Sequence, residues 1–124
     1  MSRIKTLIAG FWLASAGAPA VSQDLHLIFA ACAGRHSAEM EHAYLIGRDA
    51  TRHESHRLTF ASLVEATLPL GRGPETLNHR IAAKMAQARL LTLGAFAHDP
   101  ARAQAAREAS VTYIQSCGRL LLDS

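Results

Sequence analysis

Seven histidines lie in a chain of 124 residues. Neutral imidazole is a common metal ligand and the side chain that titrates nearest physiological pH. His53 and His56 stand three apart, as do Glu39 and His42, so each pair shares a face wherever its segment is helical. A site built from His42, His53 and His56, completed by Glu39 or His98, would suit zinc or copper. A second constellation is Cys32, His36 and Glu39, which return to one face at helical spacing. Turned inward, His36 and Glu39 need polar partners, for which Tyr113 and Arg119 are candidates. They form either a structural hydrogen-bonded pair or a small polar pocket, with His36 as base and Glu39 orienting it.

Other chemistries lack their residues. There is no Gly-x-Ser-x-Gly to present a nucleophile. A di-iron bundle requires two Glu-x-x-His units, and only Glu39-x-x-His42 is present. Attached haem needs Cys-x-x-Cys-His, whereas Ser116-Cys117-Gly118-Arg119 offers neither a second cysteine nor a histidine. An enzyme is the class the sequence supports least.

The compartment comes from the N-terminus. Arg3 and Lys5, the apolar run Leu7 to Ala14, and Ala18-Pro19-Ala20 form the three parts of a secretory signal, with cleavage expected after Ala20. Pro19, Gln23 and Asp24 break the apolar stretch short of the roughly 20 residues of a spanning helix, so no stable membrane span is expected after cleavage. The product is an exported protein, periplasmic or secreted. Removing the signal leaves eleven basic against ten acidic residues, a net charge of +1. Nucleic-acid binding, which needs a basic patch, is not expected. Cys32 and Cys117 are the only cysteines, and outside the reducing cytosol they should pair.

The elements that must position these residues are helical. Ala, Leu, Arg and Glu are frequent, and alternating apolar and polar runs are absent. Helices are expected over residues 24–46, 51–68, 74–97 and 100–121, in one domain covering 21–124. Gly47-Arg48-Asp49, Gly71-Arg72-Gly73-Pro74 and Asp99-Pro100 mark the turns. The expected inward seams are Leu25, Ile28, Phe29, Cys32, Glu39, Ala43 and Ile46, then Phe60, Leu63, Val64 and Thr67. The third helix should bury Leu77, Ile81, Met85, Ala88, Leu91 and Ala95, and the fourth Ala103, Ala106, Ser110, Ile114, Cys117 and Leu121.

Short connections favour an antiparallel up-down-up-down four-helix bundle. There Cys32 and Cys117 both fall about 11–12 Å from the same end, so a disulfide joins the first and last helices. His42, His53, His56 and His98 should gather at the opposite end. The function expected is a non-catalytic binding or accessory module of the cell envelope, its partner another envelope protein. Leu27, Tyr44, Leu45, Leu120 and Leu122 are the candidates for an uncovered apolar surface. The alternatives are the zinc or copper protein and a pH-responsive envelope protein that loosens as its histidines protonate.

Overall fold

The computed structural model describes residues 24–122, and of Leu122 the backbone alone; the expected signal segment lies outside the described residues. Four helices follow one another: α1 (Leu25–Leu45), α2 (Thr51–Thr67), α3 (Gly73–Phe96) and α4 (Pro100–Leu122). Each end has a local cause. Gly47 and Gly71 take positive φ values of 72° and 80°, the left-handed conformation that turns the chain after α1 and α2. Asp49 Oδ1 accepts from the backbone N–H of Thr51 at 3.0 Å, and Asp99 Oδ1 from that of Ala101 at 3.0 Å. These carboxylates satisfy otherwise unpaired donors in the first turns of α2 and α4. Pro74 stands in the first turn of α3, where its missing N–H costs nothing.

The molecule is the expected all-α four-helix bundle, and the disulfide Cys32–Cys117 joins its first and last helices with a Cα–Cα distance of 5.5 Å. The packing is less symmetric than a square of neighbours. Helix α1 is the hub, packed on α2, α3 and α4, while α2 packs substantially on α1 alone. The closest pair is α1 and α3, the diagonal of an idealised bundle. Gly34 makes this possible, since a Cβ at that position would lie 2.2 Å from the carbonyl oxygen of Arg80. Around it α1 buries Ala30, Ala33, Ser37 and Ala38, side chains small enough for backbones to approach.

A polar hub ties three helices. Gln87 of α3 accepts from Arg35 Nη1 at 2.8 Å and donates to Glu39 Oε1 at 2.8 Å and to the carbonyl of Ser110 at 3.1 Å. The Arg35 guanidinium also lies 4.0 Å from the Tyr113 ring centre. Gln87 is fully buried with its amide atoms paired, as a buried polar group must be.

This reorients α3 relative to the sequence-based expectation. Leu77, Ile81 and Met85 are exposed, and the buried positions are Thr76, Ala83, Gln87 and Gly94. The larger apolar side chains gave the wrong face because the contact with α1 is too close to admit them. On α1, Ile28 and Ile46 are likewise exposed, while His26, His36 and Ser37 are buried. The α4 seam is inward as expected, from Ala103 through Cys117, with Ile114 and Leu121 half-buried. Among the described residues, no helix is long and apolar enough to cross a membrane.

Candidate functional site

Phe60 of α2, fully buried, anchors α2 against α1. Its ring is stacked on that of His36 at 5.7 Å and tilted against Phe29 at 6.2 Å. That contact fixes the His36 imidazole between α1 and α2, where two more rings meet it. His53 lies with its ring centre 5.4 Å away and His56 stands edge-on at 4.9 Å. The Nδ1 atoms of His36 and His53 are 3.1 Å apart, so one ring donates to the other, and Nε2 of His36 is buried without a partner.

Burial, followed by the positive fields of His53, His56 and Arg52, pushes the His36 pKa down to about 3. His56 is lowered as well, by burial first and then by Arg52 and His53. His36 is therefore neutral throughout the physiological range. The unfolded chain binds a proton near pH 6.5 that folded His36 refuses, so folding is unpenalised above pH 6.5 and increasingly penalised as pH falls toward 3. The slope is about 1.4 kcal/mol per pH unit for one such group. Urea unfolding should show about 2 kcal/mol less stability at pH 5 than at pH 7, and His36→Leu should flatten much of that fall. A wild-type profile level across this range would contradict a neutral buried imidazole.

Above His36 a cleft of about 460 Å³ opens between α2 and α4. Arg52, His53 and His56 line it from α2, and Ile114, Gln115, Gly118 and Arg119 from α4. Among the described residues no carboxylate lines it. Arg52 and Arg119 make no hydrogen bond or ion pair with a described residue, so their donors face solvent. The cleft exists because α2 packs on α1 and α4 mainly on α3, without packing substantially on each other, with the disulfide beside Gly118 holding the α4 wall in place.

The sequence-predicted residues are distributed differently from the expectation. His53 and His56 meet His36 rather than forming one cluster with His42 and His98. His42 and Glu39 line a second cleft together with His53, and His98 is exposed in the connection before α4. His36 and Glu39 have separate partners, His53 for the first and Gln87 for the second. Of the two partners foreseen on α4, Arg119 does share the cleft with His36, whereas Tyr113 stacks with Arg35. Among the described residues, no three His, Cys, Asp or Glu side chains are arranged to hold one metal ion.

Sequence reasoning missed Arg52, Gln115 and the buried His26, whose ring nitrogens both lack hydrogen-bond partners. Arg52 carried a signal, because it immediately precedes His53 at the start of a helix. His26 carried none, since it resembles a polar residue at a helix N-terminus. Comparison of the chain with protein-family models, with curated proteins and with solved structures finds no match.

Proposed function

We propose that this domain is an exported, non-catalytic binding module of the cell envelope that holds a small anionic group in the cleft between α2 and α4. The observation that carries the proposal is the lining: two arginines that pair with no described residue, His53, His56 and the Gln115 amide surround the opening, and among the described residues no carboxylate lines it. Guanidinium groups are matched in geometry and charge to carboxylate and phosphate oxygens. The N-terminal signal pattern and the paired cysteines support export, since disulfides persist in oxidising compartments.

Titration calorimetry of the oxidised protein with phosphate and with simple carboxylates should give saturable binding that weakens with salt. Arg52→Glu or Arg119→Glu should each cost about tenfold or more in affinity, about 1.4 kcal/mol, with little change in stability because both side chains are exposed. Absence of binding by every anion tried would remove the reading.

A second reading, contact with another envelope protein, is favoured by uncovered apolar side chains. Tyr44, Leu45 and Leu120 are exposed, Leu27 is half-buried, and Leu77, Ile81 and Met85 add a stripe along α3. Photocrosslinking from position 85 in the producing cell's envelope should trap one reproducible partner, and no adduct would count against it. The pH-responsive reading draws on the neutral His36. The zinc or copper reading draws less support, because Arg52 and Arg119 repel a cation at His53 and His56.

A further inference from the structure

The cationic cleft does not end at His36. A second cleft of about 430 Å³ continues toward the other end of the bundle, between α1, α3 and α4, and His53 and Ile114 border both. The two clefts therefore meet at one pair of side chains, projecting from helices that do not pack substantially on each other. Their chemistry differs. Leu90, Leu91, Val111 and Ile114 form apolar walls in the second, with Ile46 and Ala95. Charges that reach it are largely satisfied within the protein: Glu39 accepts from Gln87, while Arg107 donates to the Gly94 carbonyl at 2.6 Å and to Gln104. Exposed Arg48, half-buried His42 and buried Ser110 also line it. In the first cleft Arg52 and Arg119 have no such partners among the described residues.

A cationic mouth leading into an apolar trough is complementary to one kind of molecule. We infer that the ligand is a single-chain amphipathic anion, its carboxylate or phosphate head between Arg52 and Arg119 and its hydrocarbon tail along Ile114, Val111 and Leu91. From Arg119 to Val111 the α4 wall runs about 12 Å, room for a medium-length chain. This inference rests on the anion reading above and adds the tail to it.

The test is a chain-length series by calorimetry on the full oxidised domain, below each probe's micelle concentration. Inorganic phosphate, acetate, hexanoate and decanoate supply heads with tails of increasing length, and decylamine supplies the tail with the opposite charge. Affinity should rise about three- to fourfold per added methylene from acetate to decanoate, and decylamine should not bind. Val111→Glu should reduce decanoate to the affinity of acetate while leaving acetate and phosphate unchanged. Arg119→Glu should weaken all the anions together. Leu91→Gln repeats the tail test from α3, and each variant's unfolding curve shows whether it is folded.

Phosphate and acetate binding as tightly as decanoate would overturn the tail and leave the anion site standing. Decylamine binding as well as decanoate would overturn the cationic head and, with it, the anion reading. No binding by any probe would overturn both.

Discussion

Removing the Cys32–Cys117 bond should lower the free energy of unfolding by about 4.5 kcal/mol, the largest single effect expected in this molecule. The bond spans a sequence separation of 85 residues, and in the chain-entropy description a loop of that size greatly restricts the unfolded ensemble. Few compensating contacts exist in the folded state. Helix α4 rests mainly on α3 and touches α1 only lightly outside the disulfide, and the buried cluster beside the bond is small: Ala33 and Phe60, with Phe29, Leu63 and Leu121 packed against it. A domain of this size holds only about 5–15 kcal/mol in total. The double variant Cys32→Ala/Cys117→Ala, unfolded in urea beside the oxidised wild type, is the direct measurement. A loss below about 1 kcal/mol would mean that the unfolded chain is already compact enough to hold its ends together. Because the α4 wall of the cationic cleft flanks Cys117, anion affinity should fall in the reduced protein even under conditions where it remains helical.

Gly34→Ala should cost about 2–4 kcal/mol, although the same change in an unconstrained helix is stabilising. The methyl would stand 2.2 Å from the Arg80 carbonyl oxygen and 3.0 Å from the Lys84 nitrogen, both backbone atoms that cannot rotate away. Helices α1 and α3 would have to separate, loosening the Gln87 hydrogen bonds to Glu39 and Arg35 and the ion pair of Lys84 with Glu41. Gly118→Ala is the matched control. It is also helical, its added Cβ meets nothing within 4 Å, and it should gain about 0.5–1 kcal/mol from helix propensity. Thermal or urea unfolding of both variants decides the matter. Equal effects at the two positions would show that the close approach of α1 to α3 is not a determinant of stability.

The local signals in this sequence are strong, and the long-range ones are weak. Asp99-Pro100, Pro74 and the glycines at 47 and 71 mark the helix limits to within a residue, because capping and positive φ are properties of a few adjacent residues. Pairing of Cys32 with Cys117 was legible for a similar reason, there being no other cysteine to choose. The face of α3 was not legible. Hydrophobic periodicity identifies a seam only where the core is made of large apolar side chains, and here Gly34, Ala30, Ala33 and Ala38 bring α3 so close that Ala83, Gln87 and Gly94 are what fits.

The site failed to appear in sequence for a related reason. His36 was recognised as inward-facing, but its neighbours depend on how far α2 slides along α1. Those neighbours are set by Phe60, stacked on His36 and tilted against Phe29, an arrangement no local pattern encodes. Without that packing, Arg52 and Arg119 could not be seen as facing one another across an opening.

The central position of α1 has a consequence for how the protein is made. A chain emerges N-terminus first, so the helix that touches all the others is the first to appear, and it carries the buried His26, Ser37 and His36 before any partner is available. Helix α2 can cover one flank at once, but α3 and α4 arrive last, and only then do Glu39 and Arg35 find Gln87 and Cys32 find Cys117. Folding is therefore largely deferred until the chain is complete, since its decisive contacts are distant in sequence. Until then α1 exposes a face of small apolar and unpaired polar groups, the condition in which a nascent chain needs an escort. The cationic cleft, whose second wall is α4, is the last part of the molecule to exist.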